Sequence, residues 1–350
     1  MPRPSRRRMA DTSRSTARRA FLAALGMREC RITPLAGDAS RRRYFRVIDA
    51  KGCPHVLMDA PPDSGQPVAV FVQRAAIFAA AGLSVPQLRQ VDAEAGFVLM
   101  EDFGDALFST VITDRPAAAV LLYGEAVRAL VRLQAEGDRD SLPARSSAER
   151  ARLALPAIED YAAAHAPAPE ADRAAFLAHL ERALGRFAPE SGTPVHRDCH
   201  ADNLVWLPER EGLARVGWLD FQDAELGHPA YDPVSLLCDA RRDLPAELVA
   251  GAKARFLGES GSDPAEFEAA WAALGAQRSL RILGIFARLA RQDGKRAYLA
   301  HLPRVWRQLR SHLAHPALAE LREVVAAVLP EPNPSLLSTL ARSCPTPPAP

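Results

Sequence analysis

Near residue 104 the apolar residues change period, and that change limits the fold more than any other feature of the chain. Before it, "RRYFRVID" and "HVLMDAPP" are strand-length, β-rich segments joined by "AKGC", whose glycine suits a hairpin turn. "VAVFVQRAAIFAAAGLSVP" then reads as a helix stopped by Gly82 and Pro86, and "GFVLMEDFG" as a buried strand closed by Gly104. After it, "AAAVLLYGEAVRALVRLQAE", "DRAAFLAHLERALGRF" and most of the chain from "DPVSLLCDARRDL" to Val328 place apolar residues at helical spacing. The order predicts an α+β chain of two lobes, a small β-rich one over 17–104 and a larger, mainly helical one over 105–328. The Arg/Ser-rich residues 1–16 and the Pro-rich residues 329–350 read as disordered extensions, with a short helix from Ala17 to Gly26 capped by Ser13 or Ser15.

Charge and cysteine usage narrow the function classes. A formal net charge of +2 offers no strong field for nucleic acid or an anionic membrane, and the Arg-rich start lacks interleaved aromatics. No run approaches the roughly 18–20 apolar residues needed to span a bilayer. Five scattered cysteines, odd in number and without a C-x-x-C pair, argue against a disulfide framework and point to a reducing cytoplasm.

The segment "PVHRDCHADNLVW" concentrates polar chemistry between apolar flanks. His196, Cys199 and His200 do not match a zinc spacing, and a plain solvated turn leaves the wider pattern unexplained. That pattern is His196-x-Asp198, then Asn203 five residues after the Asp, then Asp220 closing the apolar "GWLD". Phosphoryl transfer asks for such a set: a carboxylate on the acceptor hydroxyl and hard oxygen ligands for magnesium on the phosphates of ATP. Asp198 would orient or deprotonate the hydroxyl, Asn203 and Asp220 would hold magnesium, and His196 would be structural.

H-x-D-x-H-x-x-N followed by apolar-apolar-D, here "HRDCHADN" and "WLDF", resembles the aminoglycoside phosphotransferase and choline kinase branch of the protein-kinase-like fold. The resemblance implies that Asp198 is the catalytic base, that His200 lies near the transferred phosphate, that Asn203 and Asp220 bind magnesium, and that Asp232 of "YD" braces the loop. "LAGDASRRRYFRV" resembles the phosphate-covering loop, with Gly37 and Ser40 toward phosphate, and Glu101 and Phe103 of "FVLMEDFGD" would offer backbone groups to adenine.

One departure stands out. Such kinases carry a phosphate-pairing lysine on the strand that here reads "HVLMDAPP", and the chain's only lysines are Lys51, Lys253 and Lys295. Arg43 and Arg46 on the preceding strand are the expected substitutes. Alternation puts Arg42, Tyr44 and Arg46 on one face and Arg43, Phe45 and Val47 on the other, without saying which face meets the cleft.

Taken together, "GDASRRRYFRV", "VLMDAPP", "LDFQDAELGHPAYDPVSLLCD" and "LRILGIFARLARQDGKRAYLAHLPRVWRQL" resemble the bacterial anomeric amino-sugar kinases, which share the non-lysine strand. This implies N-acetylmuramate and N-acetylglucosamine as acceptors, in peptidoglycan recycling. Asp223, Asp239 and Arg241 are then the expected sugar contacts, and Arg278, Arg281 and Arg288, on an otherwise core-forming helix, could meet a lactyl carboxylate. An antibiotic or other small-alcohol phosphotransferase would use the same base and metal ligands. A pseudokinase would lack one of Asp198, Asn203 and Asp220, and all three are present.

Overall fold

The computed structural model describes residues 6–35, 42–62, 65 and 67–342. Gly37 and Ser40 lie outside the described residues. Strands β1 (Arg31–Pro34), β2 (Arg43–Ile48), β3 (Pro54–Asp59), β4 (Leu88–Asp92) and β5 (Phe97–Glu101) form one antiparallel sheet in the order β1-β2-β3-β5-β4. The β2–β3 hairpin pairs Tyr44 with Met58 and turns through Gly52 at φ 84°, a left-handed angle that glycine adopts without steric cost. The edge strands β1 and β4 escape sequence reading for a physical reason: both are largely exposed or half-buried, so neither carries an apolar alternation.

Two helices cover this sheet, α1 (Arg6–Ala24) on its outer face and α2 (Val68–Ala80) between it and the rest of the chain. The expectation of an unstructured 1–16 is corrected from residue 6 onward. Arg14 donates to Asp59 at 2.5 Å and to the carbonyls of Ala95 and Gly96, while Arg18 reaches the other Asp59 oxygen at 3.0 Å. The same two guanidiniums lie 4.0 and 3.8 Å over the rings of Phe97 and Phe45. Beneath them Leu22, Phe45, Val47, Leu57, Phe97 and Leu99 make a separate apolar cluster, each full burial contributing about 1.5–3 kcal/mol. Arginines that read as a solvated run are ordered because Asp59, fully buried, needs their charge.

The helical part comprises α3 (Phe108–Asp114), α4 (Ala119–Glu136), α5 (Ser147–Arg152), α6 (Glu170–Phe187), α7 (Tyr231–Leu237), α8 (Ala246–Ser260), α9 (Pro264–Asp293), α10 (Leu302–Leu313), α11 (Ala319–Val328) and α12 (Pro334–Arg342). In α4 the buried positions Ala119, Leu122, Tyr123, Ala126, Val127, Leu130 and Leu133 follow the helical stripe. The Asp263 carboxylate caps α9 through the N–H groups of Ala265 and Glu266, Pro264 opens its first turn, and Gly294 ends it at φ 70°. Midway, Gly284 lets α9 approach the Pro156–Ala157 backbone so closely that a Cβ would lie 2.1 Å from it. The expectation of a disordered 329–350 is likewise corrected for 334–342, where α12 buries Leu336 and Leu340.

One continuous core runs through both lobes, from Met58 and Phe78 to Leu340. It supports two small two-stranded sheets, β6 (Thr193–Val195) with β9 (Glu225–Gly227) and β7 (Leu204–Trp206) with β8 (Val216–Trp218). These strand pairs carry the polar motif. No helix among the described residues is long and apolar enough to cross a membrane.

Candidate active site

β6 delivers the chain into a tight loop whose shape is imposed from below. Asp232, fully buried at the start of α7, accepts the backbone N–H of His196 at 2.6 Å and of Arg197 at 2.9 Å. Arg197 takes φ 76°, a left-handed conformation uncommon for a non-glycine residue, and these two bonds hold it there. The His196 ring is wholly buried against Phe78 and Trp218, 5.6 and 5.4 Å between centroids. Its Nε2 donates to the Leu219 carbonyl at 2.9 Å while its Nδ1 accepts the Asp198 N–H at 3.2 Å. Burial lowers its pKa, so the ring is neutral and structural, as its place in the motif implies.

This lattice pins the backbone of Asp198 and leaves its carboxylate half-exposed. Burial of the loop opposes ionisation there, but His200, Arg278, Arg281 and His196 outweigh it and hold the carboxyl down at about 2. Asn203 gives its amide nitrogen to the Asp198 carbonyl at 2.9 Å and lies 3.3 Å from His200 Nε2. The amide oxygen is therefore the end available to a cation. The Asn203 carbonyl in turn accepts the Leu219 N–H at 2.9 Å, which brings Asp220 beside the loop. Asp220 sits at φ 58°, and burial, with the negative charges of Asp198 and Asp223, raises its pKa despite a 2.5 Å bond from Gln222. Carboxylates crowded in this way, next to an amide oxygen, form a hard-oxygen set whose mutual repulsion a divalent cation would relieve.

His200, expected beside the transferred phosphate, is only 4% exposed and stands behind the loop, 3.9 Å from Asp198. It acts on Asp198 and Asn203 from the core side. Among the described residues the grouping of metal-binding side chains is His200, Asp202 and Asp239. Arg242 bridges the two carboxylates at 2.9 and 2.8 Å, which makes this an ion-paired brace rather than a cation site. Asp239, read as a sugar contact, is therefore corrected: it is 1% exposed and spent on Arg242 and the Arg241 N–H. Arg241 pairs with Asp202 at 3.6 Å, and Asp223 is exposed near Asp220. Cys199 lies in the apolar core, so the zinc reading has no thiolate to offer.

The sheet answers the question of the missing lysine. Phe45 and Val47 face α1, so Arg42, Tyr44 and Arg46 face the other way, toward α2 and the loop. Arg46 is nevertheless committed elsewhere: it holds Asp102 at 2.5 and 3.0 Å and Asp105 at 2.8 and 2.9 Å, tying β2 to the segment that joins the lobes. Arg43 is exposed on the far face. Both expected substitutes are thus corrected. Arg42, which shares that face with Tyr44 but was not an expected substitute, is 4% exposed, 5.8 Å from the Phe71 ring, and shares with Asp220 an influence on the Tyr44 hydroxyl. Its signal was the alternation itself. At the inter-lobe segment the Glu101 N–H donates to the Gln87 carbonyl and its carboxylate accepts from Arg210 at 2.5 Å, leaving its carbonyl for an adenine edge. The Phe103 ring lies on β8 where Gly217 has no Cβ to block it, a Cβ there falling 2.8 Å from the ring.

The model of the family described as "Phosphotransferase enzyme family" matches residues 31–273. The chain is 36% identical over 352 aligned positions to the N-acetylmuramate/N-acetylglucosamine kinase of Caulobacter vibrioides, covering 89% of this chain and 96% of that protein. In fold it is similar to a choline/ethanolamine kinase family protein from Mesorhizobium loti, at a TM-score of 0.60 and 17% identity over 90% of this chain and 99% of that one. It is also similar to an aminoglycoside phosphotransferase mutant in ternary complex with AMP-PNP and hygromycin B, at a TM-score of 0.54 and 17% identity over 81% of this chain and 95% of that one.

Proposed function

Because the chain belongs to the phosphotransferase enzyme family, we propose that it is an ATP- and magnesium-dependent kinase acting on the anomeric hydroxyl of N-acetylmuramate and N-acetylglucosamine. The observation that carries the reaction is the convergence of Asp198, Asn203 and Asp220 on one side of a loop whose backbone is fixed by Asp232. The acceptors come from the named relative, which the chain matches over most of both lengths.

The residues divide the work. Asn203 and Asp220 hold magnesium, which neutralises phosphate charge when bound. Arg42 pairs with phosphate oxygens in place of the strand lysine. The Glu101 carbonyl and the Phe103 backbone meet adenine, and Asp223 and Arg241 are the sugar contacts that remain. Asp198 accepts the hydrogen of the acceptor hydroxyl as its oxygen attacks the γ-phosphorus and ADP leaves. A carboxylate held near 2 is a weak base, so its main contribution is orientation. An anomeric hydroxyl, more acidic than an ordinary alcohol, suits that arrangement.

Product analysis tests the proposal: with ATP and magnesium, mass and phosphorus NMR should show a 1-phosphate of either amino sugar. The corresponding methyl glycoside, with that oxygen blocked, should inhibit competitively without reacting. Phosphate on the 6-hydroxyl, or turnover of kanamycin-like amines alone, would reject it. The nucleotide assignment is tested separately. Arg42→Ala should raise the apparent ATP constant by about 10–100-fold, the loss of a charge-assisted hydrogen bond, whereas Arg43→Ala should not. Equal behaviour of the two variants would remove Arg42 from the phosphates.

A further inference from the structure

Four guanidiniums gather on the acceptor side of Asp198. Arg278 and Arg281, one turn apart on α9, come from below, Arg197 from the loop, and Arg145 from the segment before α5. Glu225 pairs with two of them, with Arg197 at 2.9 Å and with Arg145. Arg278, 6% exposed, donates to the Arg197 carbonyl at 3.4 Å and interacts with the Tyr231 hydroxyl. The buried Nε atoms of Arg197 and Arg278 have no hydrogen-bond partner among the described residues. Arg281, half-buried, makes no ion pair or hydrogen bond among them, although its charge acts on Asp198, Tyr231 and Arg145.

The cluster is out of balance. Glu225 is spent on two cations, and Asp198 is reserved for the hydroxyl. The surplus is visible in Tyr231: burial alone would raise its hydroxyl, yet Arg197, Arg281 and Arg278 bring it down to about 8. Donors buried without partners and a cation without a counter-charge, all beside the reacting group, are what a site for a monoanionic acceptor requires. A polycationic acceptor such as an aminoglycoside would be repelled.

We propose that Arg281, with Arg145 beside it, receives the lactyl carboxylate of N-acetylmuramate and thereby sets the preference between the two amino sugars. The assignment rests on the sugar-kinase reading above. Guanidinium and carboxylate match as a planar fork, and N-acetylglucosamine offers only a hydroxyl at the corresponding carbon, which cannot neutralise the cation. Arg288, on the same helix, is exposed and turned toward Asp160, so it takes no part.

The test compares kcat/KM for both sugars, and for the methyl ester of N-acetylmuramate, in the wild-type enzyme, Arg281→Ala and Arg281→Lys. Arg281→Ala should shift the ratio of the two sugars about 10–100-fold against the acid, mainly through KM, and Arg281→Lys should recover part of it. Esterification should cost the wild type a similar factor and cost Arg281→Ala little, because both changes remove one interaction. A ratio within about twofold of wild type, or an ester penalty undiminished in Arg281→Ala, would overturn the assignment. The ester in the unaltered enzyme keeps the question answerable if the alanine variant fails to fold: an ester as good as the acid overturns it. Wild-type enzyme that phosphorylates neither sugar would instead reject the sugar-kinase reading, a result separable from these.

Discussion

Asp198→Asn is expected to lower kcat by about 10²–10⁴ while ATP affinity stays close to wild type. The separation follows from how the loop is built. Its bonds run through the Asp198 backbone, N–H to His196 and carbonyl from Asn203, and through Asp232, so the substitution leaves them in place. What it removes is the negative charge facing the hydroxyl, a charge that Arg278 and Arg281 stabilise. Rapid-quench measurement of the chemical step, beside nucleotide titration, reads the two effects apart. Near-normal turnover would take Asp198 out of the reaction.

Asp220→Ala should act on the other half of the site, weakening magnesium-dependent nucleotide binding by more than about 100-fold, beyond what losing a supporting residue of a metal site does. Two neighbouring carboxylates are committed elsewhere: Asp198 faces the acceptor, and Asp239 is sealed by Arg242. Alanine also strains the left-handed backbone at this position, so Asp220→Asn, which tolerates that conformation and can keep the Gln222 contact, separates the loss of charge from the loss of shape. Calorimetric titration of ATP with and without magnesium decides it. Magnesium dependence unchanged in both variants would contradict the assignment.

The chain announced its loop and its lobes because those features are written in spacing. His196, Asp198, Asn203 and Asp220 stand at intervals fixed by two pairs of three-residue strands, and the change of apolar period near 104 marks the passage from sheet to helices. What stayed hidden depended on partners distant in sequence. Arg46 looked like a phosphate ligand until Asp102 and Asp105 claimed it, and Asp239 looked like a sugar contact until Arg242 did. Arg42 was overlooked for the converse reason, since only the packing of Phe45 and Val47 against α1 tells which face of β2 turns inward. The edge strands left no trace because exposed residues need no pattern.

The grip of Arg14 and Arg18 on Asp59 gives the amino terminus a practical meaning. Trimming to Ala17 deletes Arg14 and leaves a sealed carboxylate with one cation where it had two. For anyone preparing this protein, Arg14 and Arg18 are therefore part of the fold's lining, and a trim that removes them would open the back of the β-rich lobe.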